Sequence, residues 1–555
     1  MSIRSLAFGA LLWPALAPVA WADAGDDALL VVDLADGSSL SDAAARLGLP
    51  GLAWLDPRTA DEALAVVRLA GPAAVVRAAA RLQGADGVEA AEPMIQYEAL
   101  AVPNDPLYPR QWNMRMVDAP AAWRSGGGAG VRVAVIDTGL TAVPDLAGTI
   151  QLPGASFVPG SPSAADGNGH GTHVAGTIAQ TTHNALGVVG LSPAVELLPI
   201  KVLSDQGFGQ SAWIAAGIDE AVDQGAQVIN LSLGGPPSDV VRIAAHKAVA
   251  QGVIVVAAAG NTGRPGVGSP ASVPGVLAVS ALGPHAQLAP YSTTGPEVFL
   301  AAPGGDKRQE EGGVLQQTVV GEGSDFLALQ GTSMAAPHVA AAAAALLSFG
   351  AGDAEGVVDA LVAGARPLSA GGRDPRFGWG GLDVGASLRG VALHRHLPRG
   401  LLAGALTLLA LRGSGPRRRA WTAALAAALV GGIGAVLVAL PVPGPAVGPL
   451  LSRPPLLWAP IFGVGRGLSL IWASGAAAAV ATFFLGPHRR LGPLVAGACV
   501  GWALHLTDGA WRGGVPLPAL SPSMAGLWLG ANALLVWLCA AAGLGVARLA
   551  AREAA

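Results

Sequence analysis

The sequence predicts an α/β domain with a mostly parallel sheet, set between a small α+β segment and an α-helical membrane region. Three observations predict this. Short β-branched runs end in polar residues and glycines between about residues 130 and 262. Strand-like and helix-like runs mix between residues 23 and 103. Acidic residues all but vanish late in the chain, Asp508 being the only one from Gly400 to Ala547.

The elements follow in order. Met1 to Arg4 is positive, Leu6 to Val19 is apolar though interrupted by Pro14 and Pro18, and Ala20-Trp21-Ala22 is small-x-small. That reads as a signal peptide over residues 1–22, cut after Ala22. Ala28 to Leu34 and Leu64 to Leu69 read as strands, and Ser41 to Leu47 and Pro72 to Leu82 as helices, Pro72 suiting a first helical position. Val131 to Ile136 fits a buried parallel strand that delivers Asp137 to the carboxyl edge of a sheet, where open α/β folds place their sites. Val228-Ile229-Asn230-Leu231 and Val253 to Ala257 are further buried strands; the first ends in Gly234-Gly235, the second leads to Gly260-Asn261. His170 and Ser333 each follow glycine and precede small-residue helical stretches, Val174 to Ala179 and Ala335 to Leu347. Such starts put a side chain at the positive end of a helix dipole. Pro337 is expected in the first turn of the second helix, where a missing N–H costs little.

The chemistry lies in three segments: Val133-Ala134-Val135-Ile136-Asp137-Thr138-Gly139, Gly169-His170-Gly171-Thr172-His173-Val174-Ala175-Gly176, and Gly331-Thr332-Ser333-Met334-Ala335-Ala336-Pro337. A hydroxyl is a poor nucleophile at its own pKa. Attack on an amide needs an imidazole to take the proton and a carboxylate to orient the imidazole. Taken alone, the Asp is more often a strand-end turn residue and the His more often a loop residue, and Gly-Thr-Ser could be a helix cap. Together they supply Asp137, His170 and Ser333 in the order that distinguishes one known solution to the triad.

On these motifs the chain, from Asn104 to Leu388, resembles the subtilisin-like serine peptidases (subtilases, peptidase family S8). The resemblance implies a three-layer α/β fold over residues 104–390. It makes Asn261 the side-chain donor of the oxyanion hole, with the backbone N–H of Ser333 as companion. It assigns Ser232, Leu233 and Gly234 to one wall of the primary specificity pocket, Ala258 and Gly260 to the other, and Gly268 to its floor. A preference for large apolar residues before the cut follows. Asp105, Asp145 and Asn184 match calcium positions, and hard oxygen donors suit Ca2+. Asp145 nevertheless sits one residue closer to Asp137 than in familiar members. Residues 23–103 resemble the family's inhibitory propeptide, Val88 to Pro93 being its last strand, with self-cleavage expected between Leu100 and Asn104.

Cys499 and Cys539 are the only cysteines, so the exported domain has no disulfide. Net charge is −4 without a basic face, which excludes nucleic-acid binding. Residues 391–555 read as about five membrane spans: Gly400 to Leu411, Ala420 to Leu440, Gly467 to Leu485, Leu491 to Thr507 and Met524 to Ala547. Crossing inward at the first span puts Arg412 with Arg417 to Arg419, Arg489 with Arg490, and Arg548 with Arg552 on the cytoplasmic side. The peptidase domain then lies outside and the carboxyl end inside. The expectation is a membrane-anchored, exported serine endopeptidase acting on protein or peptide substrates, with its own propeptide as inhibitor and the lipid bilayer as its environment. The alternative is a membrane receptor or scaffold whose subtilase-like domain is catalytically silent.

Overall fold

The computed structural model describes residues 29–35, 38–54, 63–70, 72–82, 84–93, 103–411, 417–431, 476–485, 491–512 and 522–552. The expected signal peptide and most of the expected processing segment lie outside them. The chain divides into two units, Met1–Leu100 and Ala101–Ala555.

The first unit contains β1 (Leu29–Leu34), α1 (Leu40–Leu47), β2 (Ala53–Trp54), β3 (Leu64–Arg68), α2 (Pro72–Leu82) and β4 (Val88–Pro93). Its strands form one antiparallel sheet in the order β2-β3-β1-β4. Strand alternation turns Leu30, Val32 and Leu34 inward with Ala65 and Val67, and Ala43, Leu47, Val75 and Leu82 of the helices cover that face. The small α+β arrangement read from the sequence is present.

In the second unit α3 (Trp112–Met116) and α4 (Ala119–Ser125) lead into β5 (Arg132–Asp137), β6 (Ile150–Gln151), β7 (Ala155–Ser156), α5 (His170–Ala179) and β8 (Glu196–Lys201). Then come α6 (Ser211–Asp223), β9 (Val228–Leu231), α7 (Asp239–Ala250), β10 (Ile254–Ala258), β11 (Leu277–Leu282) and β12 (Val298–Pro303). These eight strands make one sheet in the order β12-β11-β10-β9-β5-β8-β6, with β7 also on β8, and every pairing is parallel. A separate antiparallel hairpin pairs β13 (Val314–Val320) with β14 (Gly323–Leu329). After it come α8 (Thr332–Phe349), α9 (Ala354–Gly364) and α10 (Val384–Val391).

A parallel sheet covered on both faces needs strands that are apolar throughout. Alternate residues divide accordingly. Val133, Val135, Val228, Val256 and Val279 face α5 and α8. Ala134, Ile136, Ile229, Leu231, Val255 and Ala257 face α6 and α7. Three layers result. Ala340 to Ala345 of α8 are fully buried, and their small side chains let this central helix lie close to its neighbours on every side.

One detail departs from the sequence reading. Helix α8 starts at Thr332 rather than Ala335, so Pro337 stands inside it and not in its first turn. Thr332 N–H donates to Asn261 Oδ1 at 2.9 Å, and this cap lets the helix begin early.

Helix α10 continues through a π-helical turn, Ala392–His396, into α11 (Leu397–Ala410), followed by α12 (Arg417–Gly431). Further helices span Ala476–Leu485, Gly492–Arg512 and Pro522–Arg552. The expected fourth stretch therefore runs on past Thr507, and the last is longer at both ends. Of Ala420 to Leu440 and Gly467 to Leu485, only the parts above fall within the described residues. Ala403, Ala427, Ala503, Val500 and Val536 pack inside this group, while Leu409, Leu425, Leu534 and Leu538 point outward.

Candidate active site

Asp137 ends β5 and is wholly buried. Its Oδ1 accepts from Thr138 N–H at 2.7 Å and meets His170 Nδ1 at 2.6 Å. His170 is the first residue of α5, so helix start and strand end must approach closely. Gly171 permits this, because a Cβ there would run into the Gly139 carbonyl. Burial lowers the His170 pKa, but the charge and hydrogen bond of Asp137, helped by the charge of Asp166, outweigh it and leave the pKa raised.

Ser333 is the second residue of α8. Its Oγ donates to the Ser232 carbonyl at 3.1 Å, and Ser232 Oγ donates back to the Ser333 carbonyl at 2.8 Å. Pro337 explains the second bond. Having no N–H, it leaves the carbonyl four residues earlier, that of Ser333, free for Ser232. Among the described residues no hydrogen bond joins His170 to Ser333. His170 and Ser232, the partners of Asp137 and Ser333, line one cleft.

Asn261 follows β10 at the same carboxyl edge of the sheet. Its Oδ1 accepts from Thr332 N–H at 2.9 Å and Thr332 Oγ–H at 3.0 Å, which fixes the amide and turns Nδ2 away from that pair. A Cβ at Gly331 would lie 3.5 Å from Asn261 Nδ2 and 3.7 Å from Ser333 N, so both donors border one small space that glycine keeps open. Two N–H donors around a vacant point are what a developing oxyanion requires.

Sequence reasoning missed Asp166. This buried carboxylate accepts from Thr138 Oγ–H, Asn168 N–H and Gly169 N–H through Oδ1, and from Thr172 N–H and Oγ–H through Oδ2. It ties the end of β5 to the start of α5 and so sets the spacing of Asp137 and His170. The only available signal was its position four residues before His170. Lys201 adds a second tie. It lies opposite Asp137 in the sheet, is fully buried, and donates to the Thr138 carbonyl and, at 2.7 Å, to Asp205 Oδ1.

The cleft has a volume of about 660 Å³. It takes in Ser232, Leu233 and Gly234 from the expected specificity residues, together with Phe208 and Ile214, which sequence reasoning did not single out. Ala258, Gly260 and Gly268 are not among its lining residues. Ala258 is buried, Gly260 N–H donates to Thr332 Oγ at 3.2 Å, and a Cβ on Gly268 would sit 2.9 Å from the Gly235 carbonyl. Gly235 and Ser269 pair across this point through two backbone bonds, of 2.9 and 3.1 Å, while Gly234 remains exposed.

Asp105, Asp145 and Asn184 also come together. Asp145 is buried and accepts from Asn184 Nδ2 at 2.7 Å and Val188 N–H at 2.9 Å. Asp105 Oδ2 accepts from His183 N–H at 2.8 Å, whereas its buried Oδ1 has no partner. Burial above all, with the charge of Asp105 adding to it, lifts the Asp145 pKa to about 6. Two mutually unfavourable carboxylates, one with an orphaned oxygen, fit a hard cation. Among the described residues no group of three acidic, histidine or cysteine side chains accompanies them.

Fold and site define a serine endopeptidase. Residues 128–380 match the subtilase family, peptidase S8. The chain is 46% identical over 235 residues to Subtilisin Savinase of Lederbergia lenta, covering 42% of this chain and 82% of that protein. It is equally similar to an alkaline protease of Shouchella clausii, covering 58% of that one. A solved structure of proteases from Pseudoalteromonas arctica aligns with 52% of this chain and 98% of its own, at 31% identity and a TM-score of 0.48. The chain belongs to the subtilase family.

Proposed function

We propose that this is a membrane-anchored endopeptidase that cuts exported proteins, with Ser333 as nucleophile, His170 as general base, Asp137 as its orienting carboxylate, and Asn261 with Ser333 N–H as oxyanion donors. The 2.6 Å contact of His170 with a buried Asp137 carries the assignment, since it leaves Nε2 to take the serine proton. The proton then passes to the leaving amine, and water repeats the sequence on the acyl-enzyme. Labelling by a fluorophosphonate tests this. Modification at Ser333 that is lost in His170→Ala supports it; a protein that stays unlabelled with an intact fold is the silent scaffold instead.

Finer features belong to the same proposal. Substrate backbone pairs with the exposed run at Gly234 as an added strand. By the family resemblance, small residues at Ala258, Gly260 and Gly268, which lie outside the cleft, leave room for large apolar residues before the cut; a peptide library dominated there by Lys, Arg or Asp would refute this. Asp105, Asp145 and Asn184 would hold Ca2+, whose charge neutralises the two acids and stiffens the loop between His183 and Val188. The small α+β unit supports the propeptide reading, in which it inhibits until self-cleavage between Leu100 and Asn104. Ser333→Ala protein carrying the same new amino terminus would end that reading.

The bilayer reading is supported by the outward leucines of the carboxyl-terminal helices and by the three arginine clusters, Arg412 with Arg417 to Arg419, Arg489 with Arg490, and Arg548 with Arg552, which five crossings put on one side while Arg453, Arg466 and Arg512 stay on the other. It sets the peptidase domain on the extracytoplasmic side. A reporter fused at Ala555 that works only outside the cell would overturn that orientation.

A further inference from the structure

The passage from the peptidase domain to the apolar helices contains no flexible linker. Asp383 caps α10 through Ala386 N–H at 2.8 Å, and helix then runs from Val384 to Ala410, interrupted only by the π turn. Its first part, Val384, Leu388, Val391 and Ala392, belongs to the same core as α8. Its last part buries Ala403 and Thr407 among the apolar helices.

Cross-links close the joint where these halves meet. The buried His396 ring stands edge-on to Phe349 at 5.1 Å, and its Nε2–H donates to the Phe349 carbonyl at 3.0 Å, one of the open carbonyls at the end of α8. That leaves Nδ1 as acceptor for Arg399 at 2.9 Å. Burial, and next the Arg399 charge, lower the His396 pKa to about 3, so this tautomer is neutral at physiological pH. Arg399 also donates to Asp508 Oδ2 at 2.9 Å, and Arg395 lies 3.8 Å from the same oxygen. Arg395 fits against Gly352, where any Cβ would meet its guanidinium. Asp508 comes from the helix Gly492–Arg512 and is the one acid between Gly400 and Ala547. The Arg399–Asp508 pair joins the first apolar helix to the helix Gly492–Arg512 at the level of the joint, and losing one partner would leave buried charge behind.

We infer that this joint holds the catalytic cleft at a fixed height above the bilayer and makes membrane-tethered proteins, cut in the segment that leaves the membrane, the preferred substrates. The inference rests on the bilayer reading above. Ser333 and the Phe349 joint occupy opposite ends of α8. Helical rise along α8, and from His396 to Gly400, keeps Ser333 at most about 35 Å from the start of the first apolar stretch. An extended stalk of about 10 residues spans that distance. A tethered chain reaches the cleft at raised effective concentration, and a rigid arm samples one height rather than many.

The test uses the full chain in liposomes, with one cleavable sequence either free or joined to a single apolar anchor through stalks of increasing length. The tethered form is expected to be cut about 10²-fold faster than the free peptide. Cuts in a degenerate stalk should stay at one distance from the anchor as the stalk is lengthened. Asp508→Asn, or a flexible Gly-Ser insertion after Leu397, beyond the core residues of the peptidase domain, should spread the cut positions while leaving the free-peptide rate unchanged, which also shows that each variant is folded. Equal rates on free and tethered substrate, or the same spread in wild type and both variants, would overturn the inference and leave the bilayer reading standing. Extraction of the protein by alkaline carbonate would remove the bilayer reading and the inference with it.

Discussion

Two helices among the described residues are long and apolar enough to cross a membrane, and they are used in opposite ways. Thr332–Phe349 is 94% buried, whereas Leu527–Val546 is 28% buried. The first is the centre of the peptidase core and carries Ser333 at its positive end. The second shows leucines to its surroundings. Hydropathy measures how much apolar surface must be covered and says nothing about what covers it. The nature of the residues separates the two better: α8 is buried through alanines that let backbone approach backbone, while the late helix exposes large side chains such as Leu534 and Leu538.

The strongest way to test this contrast is at the catalytic end of α8. Ser333→Ala should lower kcat by about 10⁶, a magnitude carried over from a subtilisin, without altering membrane association. A single charge should then separate the helices. Ala343→Asp places an unpaired carboxylate in the wholly buried part of α8 and should cost more than about 4 kcal/mol, read as loss of cooperative thermal unfolding. Leu538→Asp should instead oppose insertion by about 2.5–3.5 kcal/mol and leave the Tm of the peptidase domain unchanged. If both substitutions unfold the domain, the late helix is core and the contrast collapses.

Smaller effects sharpen the peptidase side. Asn261→Ala should reduce kcat by about 10²–10³, again a subtilisin magnitude, with KM little changed. Chelation should lower the Tm and reverse its pH dependence near the Asp145 site. The folded pKa of about 6 lies above the ordinary carboxyl value, so the metal-free folded state binds an extra proton. Metal-free protein should therefore gain stability as pH falls through 6 toward 4, while the calcium-loaded form should lose it; a Tm unaffected by chelation would argue against the cation. The smallest shift concerns His170. Its raised pKa keeps the base protonated to higher pH, so kcat/KM should fall as pH drops through a value above 6.5. Asp166→Asn removes a charge that raises this pKa and should move that limb to lower pH. A drop in rate with an unmoved limb would mean that Asp166 acts on structure alone.

Much of the site was legible because its chemistry is carried by residue types in short contexts. Asp137, His170, Ser333 and Asn261 each stand at the end of a recognisable strand or the start of a recognisable helix. Asp166 was not legible, since its five acceptor contacts are made to groups from Thr138 to Thr172 that only folding brings around it. The Pro337 position was misread for a related reason: the start of α8 is set by Asn261, a residue distant in sequence. The joint at His396 was invisible because Phe349, Arg399 and Asp508 carry no common motif.

By itself the sequence determined the strands that lead to Asp137, Gly234 and Asn261, the helices that follow His170 and Ser333, the elements of the small α+β unit, and the division into an acid-containing part and an acid-poor part, because periodicity and residue chemistry are local properties. Tertiary structure alone decided which apolar helix is core, which carboxylate steadies the histidine loop, and how the helical region is joined to α8. Those outcomes depend on which surfaces meet, and a surface finds its partner only when distant segments have packed.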